Sequence, residues 1–163
     1  MRVLRAIAIG VGVLVLLVAA VAFGARFADG PVALFPGGAF RTGDWVEDPA
    51  ADLSFAADIQ EIELESGEPP TSRTVWILVE GGAAYVPCSL SFPPGKRWHF
   101  DALEHPAAVV RVDGKRYRRR LEKVQDPALH ARLIEAAQAK YSGGPVSGEG
   151  DVWFFLLAPA AGT

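Results

Sequence analysis

The chain has 163 residues, half of them hydrophobic, and a formal net charge of −3. That balance excludes an overall basic footprint for nucleic acid. A single cysteine, Cys88, excludes an intramolecular disulfide and any Cys/His metal cluster or haem-attachment motif, and an apolar stretch before it reads as the setting of a buried structural thiol.

Ala6 to Ala25 runs for twenty residues without a charge. A helix of that length matches a hydrocarbon core of about 30 Å. The run reads as an uncleaved transmembrane anchor over residues 1–26; a cleaved secretory signal ending near Ala20-Val21-Ala22 is the competing reading. Arg2 and Arg5 precede the run, and Arg26 follows it, soon offset by Asp29. The positive-inside bias therefore places the N-terminus in the cytoplasm and the remaining chain outside, on the extracytoplasmic face of the inner (cytoplasmic) membrane as a single-pass protein.

Residues 27–57 form a glycine- and proline-rich linker or arm, with turn signals at Gly30-Pro31, Pro36-Gly37-Gly38 and Thr42-Gly43-Asp44. Phe27, Phe35, Phe40 and Trp45 are spaced through it. Asp48-Pro49 predicts a short helical turn through Leu53. Asp58–Glu65 alternates in part and predicts a strand, Gly67–Pro70 a turn, and Thr74–Glu80 a β-branched, aromatic central strand. Gly81-Gly82 then turns the chain into a strand over Ala83–Cys88. Leu90–Gly95 is a loop, and Lys96–Glu104 a short helix stopped before Pro106.

Ala107–Val112 and Lys115–Val124 flank Asp113-Gly114, the clearest hairpin signal in the chain. Asp126-Pro127 starts a helix to about Tyr141, with Leu129, Leu133, Ala137 and Tyr141 on one face and Gly143-Gly144 as its stop. After a glycine-rich loop, Asp151–Ala158 is a strand apolar enough to need cover on both faces. Short antiparallel strands, tight turns and few helices predict a mainly β chain. The expected fold is an antiparallel split β-barrel of about six strands with two helices over 58–158, preceded by the transmembrane helix and followed by a tail at 159–163.

Charge is segregated. Nearly every charge from Asp44 to Glu80 is acidic, while bases dominate from Lys96 to Lys123. Two solvated, complementary faces explain this, and so does an anion site. On a strand, Arg116, Arg118 and Arg120 share one face, and Tyr117, Arg119 and Leu121 the other. A charged edge that discourages strand addition and a site for anionic groups both fit. His99, His105 and His130 fall on separate elements, and neither a G-x-S-x-G elbow nor a Walker loop is present. No metal site is expected.

Ser72-Arg73-Thr74-Val75-Trp76, the Gly81-Gly82 turn, Tyr85–Ser89, Lys96-Arg97-Trp98, Glu104-His105-Pro106 and Val109–Arg111 together resemble the split-barrel flavin-binding superfamily. That group includes pyridoxamine phosphate oxidase-like and deazaflavin-dependent nitroreductase-like proteins; His105 stands where Asn is usual. The resemblance implies FMN or a deazaflavin as cofactor, with its phosphate held by Arg73, Thr74, Ser89, Lys96 and Arg97 and Trp98 against a ring. It also implies a homodimer and an oxidoreductase acting on a small organic substrate, with no catalytic side chain named. A cofactor-free exported domain that binds a ligand or partner is the alternative.

Overall fold

The computed structural model describes residues 1–141 and 151–160. The predicted helix stop at Gly143-Gly144, the glycine-rich loop after it and the end of the tail lie outside the described residues. The first element is helix α1 (Arg2–Ala25), long and apolar enough to cross a membrane, its most apolar 18-residue window wholly unburied. At 1.5 Å per residue it is about 36 Å long. The arm carries strand β1 (Asp44–Trp45) and a 3-10 turn at Ser54–Asp58.

Six further strands and a helix follow before the last helix–strand pair. They are β2 (Glu61–Ser66), β3 (Thr71–Trp76), β4 (Leu78–Glu80), β5 (Ala83–Ser89), helix α2 (Trp98–Glu104), β6 (Ala107–Val112) and β7 (Lys115–Lys123). Helix α3 (Pro127–Lys140) and β8 (Val152–Pro159) complete the chain.

The strands hydrogen-bond in the order β3-β2-β6-β7-β8-β5-β4, all antiparallel, and β1 adds in parallel to the start of β7. The two ends of this path, β3 and β4, are consecutive in the chain and separated by Ile77 alone. The sheet therefore curls until its end strands are two halves of one stretch. Counted that way it is the six-stranded split barrel that the sequence predicts, with α2 and α3 as its two helices.

The predicted strand Thr74–Glu80 is thus corrected: it starts at Thr71 and breaks at Ile77. The first half pairs with β2 and the second with β5. Residues on either side of the break look alike in composition, so no local signal marks it. The predicted helical turn at 48–53 lies later, at Ser54–Asp58. The Asp48 carboxylate does accept the Ala50 N–H at 2.9 Å, but only as a turn, and Asp52 accepts the Ser54 N–H at 2.8 Å where the 3-10 turn begins. Helix α2 starts at Trp98, two residues later than expected.

Two apolar clusters sandwich the sheet. Inside the barrel lie Ile62, Leu64, Val86, Val110, Leu121, Phe155 and their neighbours. Outside, Leu133, Ala137 and Tyr141 of α3 cover Leu78, Tyr85, Val152 and Phe154. Strand β8 contributes Phe155 and Leu157 to the first cluster and Val152 and Phe154 to the second, as its unbroken apolar run demands. The Asp126 carboxylate caps α3 by accepting the Ala128 N–H at 2.9 Å, with Pro127 in the first turn.

The break at Ile77 would leave buried backbone groups without ladder partners. Tyr141 supplies most of them, with the Ile77 N–H also reaching the Gln60 carbonyl at 3.4 Å. Its hydroxyl accepts the Ile77 N–H at 3.0 Å and lies 2.6 Å from the Ile77 carbonyl and 2.7 Å from that of Gln60; its single proton serves one of these at a time. Lys140 Nζ donates to the carbonyls of Ile77 at 2.9 Å and Ile59 at 2.6 Å. The Tyr141 ring stacks on Trp76, centroids 4.2 Å apart.

Tyr141→Phe keeps the stack and removes the bridge. It is expected to destabilise the full chain in detergent by about 1–3 kcal/mol on denaturant unfolding. Burial pushes the Tyr141 phenol up from 10.0 to about 12. The raised folded-state pKa means its contribution is fully present below pH 10.0 and is lost as pH rises through about 12. The stability gap between wild type and Tyr141→Phe should therefore narrow over that alkaline window, measured by unfolding at a series of pH values.

Candidate functional site

Alternation along β3 sends Arg73 and Val75 to the barrel interior and Ser72, Thr74 and Trp76 to the other face. Val75 and Trp98 both pack against the interior cluster, and Ala102 of α2 belongs to it, so α2 closes one mouth of the barrel over Arg73. The Arg73 guanidinium sits 5.3 Å from the centre of the Trp98 ring. Its Nη1 donates to the Ser66 hydroxyl at 2.7 Å, and its Nη2 to the Thr71 hydroxyl at 2.6 Å. Nη2 also lies 3.5 Å from the Thr71 carbonyl.

Among the described residues no carboxylate lies within ion-pair distance of Arg73. A guanidinium has five N–H donors, and among the described residues Nε–H and one Nη1 hydrogen find no acceptor. Burial lowers its pKa from the ordinary arginine range to about 10, with Asp101 and Cys88 opposing. It remains a cation at neutral pH, held in place by neutral hydroxyls.

Arg119 shows what a structurally satisfied buried arginine looks like in this chain. It is 2% exposed, and its guanidinium donates to the carbonyls of Pro49 at 2.9 Å, Arg118 at 2.8 Å and Ala51. It staples the arm to β7. Arg73 makes no comparable set of contacts to a distant segment.

The other candidates separate. Lys96 Nζ donates to the carbonyls of Ser89 and Phe92, closing the loop between β5 and α2; burial lowers its pKa. One of its three hydrogens is left. The Ser89 hydroxyl accepts the Phe92 N–H at 3.2 Å and lies 3.2 Å from the Ser91 hydroxyl, so it shapes the same loop. Cys88, next to it, feels the positive charge of both Lys96 and Arg73. Arg97 is exposed, and its carbonyl accepts the Phe100 and Asp101 N–H groups that open α2. Thr74 faces away from Arg73. It lines an open groove of about 510 Å³ with Asp29, Glu61, Glu63 and Asp113, whose negative charge is the wrong sign for a phosphate. A second concavity, of about 420 Å³, lies by Phe55 and Tyr117, also away from Arg73.

The structure adds His99 to the mouth. It is 3% exposed, with its ring 4.2 Å from Phe100 and 5.4 Å from Trp153, and its Nδ1 has no partner among the described residues. Burial, reinforced by Lys96, lowers its pKa, which favours the neutral imidazole. The Trp98-His99-Phe100 triplet was its sequence signal, readable only once the helix start is placed at Trp98. His130 is structural, with Nε2 2.9 Å from the Val152 carbonyl. Among the described residues no group of three His, Cys, Asp or Glu is placed to hold a metal ion.

The basic run on β7 is consumed by the arm. Arg116 and Arg118 flank the Trp45 ring at 4.2 and 4.1 Å, and Arg116 Nε donates to the Gly43 carbonyl at 2.9 Å. Arg118 and Arg120 have acidic neighbours, Glu47 at 3.8 Å and Glu122 at 3.6 Å. The expectation of a charged strand edge is corrected: β7 pairs with β6 on one side and with β8 and β1 on the other, so these arginines lie on the face of an interior strand.

No family model matches the chain, and no curated protein matches it in sequence. Its fold is similar to solved structures. One is a Listeria innocua protein described as a pyridoxamine 5'-phosphate oxidase: 17% identity, 67% of this chain, 90% of that one, TM-score 0.49. Another is a NimC/NimA family protein from Clostridium acetobutylicum: 13% identity, 61% of this chain, 74% of that one, TM-score 0.47. A third is an F420 reductase: 19% identity, 63% of this chain, 87% of that one, TM-score 0.44.

Cys88 is 2% exposed, and burial raises its thiol from 9.0 to about 11 despite the nearby cations. A thiol with that pKa is about one part in a thousand thiolate at pH 8. Alkylation by iodoacetamide at pH 8 is expected to be at least roughly a hundredfold slower in the native chain than in the unfolded chain, read by mass spectrometry.

Proposed function

We propose that the chain is a membrane-anchored split-barrel oxidoreductase that binds FMN or a deazaflavin noncovalently and acts on a small organic substrate. The observation that carries this reading is Arg73: a largely buried cation with unused donors, an aromatic wall in Trp98, and no carboxylate partner among the described residues. A buried charge without a counter-ion is costly, and a phosphate would supply the charge-assisted hydrogen bonds it lacks. The cofactor class follows from the sequence resemblance.

The residues at the mouth fit such a group unequally. Arg73 would hold the phosphate, with the remaining Lys96 hydrogen adding a second contact. Trp98 would flank a ring, and α2 would exclude water. Thr74 and Arg97 would take no part, because one faces the acidic groove and the other solvent. The bound group would supply hydride or electron transfer, and the protein position and electrostatics. Phe92, Phe100 and Leu103 stand exposed beside this mouth at 63%, 48% and 50%, which supports a homodimer closing over it. Helix α1 would anchor the chain in the inner membrane, with Arg2 and Arg5 in the cytoplasm and the barrel outside.

Titration of the full chain in detergent with FMN, riboflavin and a deazaflavin tests the cofactor reading. FMN or the deazaflavin is expected to bind with a change in its fluorescence. If FMN binds, Arg73→Ala should weaken it by about ten- to a hundredfold, or roughly 1.4–3 kcal/mol, while riboflavin, which lacks the phosphate, is unaffected. No fluorescence change with any of the three overturns the reading in favour of a cofactor-free binding domain. A reporter fused after Thr163 is expected to be active only outside the cytoplasm.

A further inference from the structure

Helix α1 does not lead into a free linker. Its last turn continues through Phe27 N–H to Gly24 at 3.0 Å and Ala28 N–H to Ala25 at 2.9 Å, and Ala25 is buried. Gly38 then donates to the Ala28 carbonyl at 3.2 Å. A Cβ on Gly38 would meet the Arg26 carbonyl oxygen at 2.7 Å, and one on Gly37 the Gly30 oxygen at 1.7 Å, so glycine at both positions is what lets these segments touch. Gly37 pairs with Ser72 of β3 in both directions, at 2.9 and 3.1 Å, and the Ser72 hydroxyl donates to Gly38 at 2.6 Å.

Asp29 ties the same knot from the other side. It accepts the Arg41 N–H at 2.6 Å, the Thr42 hydroxyl, and Arg111 of β6 at 3.1 Å. Hydrogen bonding raises Arg111 and holds Asp29 far below the usual carboxylate range, so both stay charged at neutral pH. From the helix end to the sheet there is no free hinge.

What this knot presents outward is apolar and basic. Val32 and Phe35 bond to each other at 3.0 and 2.9 Å, and the turn they close lifts Leu34 to 97% exposure. Phe23 and Phe27 are each 63% exposed and meet edge to face at 5.5 Å. Arg26 is exposed beside them, and the Arg41 guanidinium donates to the Phe27 carbonyl at 3.1 Å. Aromatic rings, a projecting leucine and two cations at the end of a membrane-length helix match the chemistry of the bilayer interface, where rings sit at headgroup level and arginines meet lipid phosphates.

We infer that this collar is a second membrane contact: Phe27 and Leu34 enter the lipid interface and Arg26 and Arg41 meet the headgroups, so that the barrel is seated on the bilayer at a fixed height. The inference rests on α1 spanning the membrane, and the test separates the two. Single cysteines are placed in a Cys88→Ala background of the full chain by Leu34→Cys, Phe27→Cys, Val15→Cys and Asp113→Cys. Each is labelled with an environment-sensitive fluorophore and reconstituted in vesicles of phosphatidylcholine and phosphatidylglycerol.

Probes at 34 and 27 are expected to shift to the blue and to lose emission to a lipid carrying a nitroxide near its headgroup. The probe at 15 should lose emission to a deep-chain nitroxide, and the one at 113 should respond only to a water-soluble quencher. If 15 is quenched from the deep chain while 34 and 27 behave like 113, the collar is overturned and the anchor stands. If 15 responds only to the water-soluble quencher, both fall.

Discussion

Everything in this barrel depends on one hydroxyl group and the single residue it satisfies. A sheet that curls onto itself must let one strand pair on two sides, and β3-β4 does so by breaking at Ile77. The break exposes buried backbone groups to a region without water, where each unmade hydrogen bond costs about 1–3 kcal/mol. Tyr141 meets both Ile77 groups, and Lys140 and Gln60 complete the set. Helix α3 therefore does more than cover the outer face: its last residues fasten the barrel's two ends.

Arg119, buried, and Arg73, partly buried, show how the same side chain can be read in opposite ways. Arg119 is surrounded by carbonyls from the arm, and its hydrogen bonds hold that segment down. Arg73 leans on two hydroxyls from its own hairpin and on an indole face, all neutral. Hydroxyls orient a guanidinium but do not neutralise it. The barrel mouth thus keeps a positive charge in a partly dehydrated setting, where electrostatic interactions are stronger than in bulk water. The acidic groove around Thr74 lies across the sheet, one residue away in sequence and on the opposite face.

How much of this the sequence discloses depends on range. The Asp113-Gly114 hairpin is legible because both residues take positive φ, 49° and 74°, in a turn that demands it. The Asp126-Pro127 cap and the two-faced burial of β8 are legible for similarly local reasons. The break at Ile77 is not, since it is set by Tyr141, 64 positions away. Arg73 and Trp98 could be grouped by residue type, and the structure does bring them together. Lys96 could not be resolved that way: its charge suits an anion, but the nearby carbonyls of Ser89 and Phe92 take most of its donors first. Thr74 could have been set apart by strand alternation alone, had the strand's start been known.

The arm changes the meaning of the charge-free helix. Counted along the chain, two arginines precede the helix and one follows. In three dimensions Arg41, folded back onto Phe27, joins Arg26 at the helix end. The knot that brings Arg41 there is the one that removes the hinge between helix and barrel. With α1 in a bilayer, as proposed, a flexible tether would let the Arg73 mouth sample every orientation, whereas this knot would hold it in one. The proposed ligand would then approach at a height and angle set by Gly37, Gly38 and the Asp29–Arg111 pair.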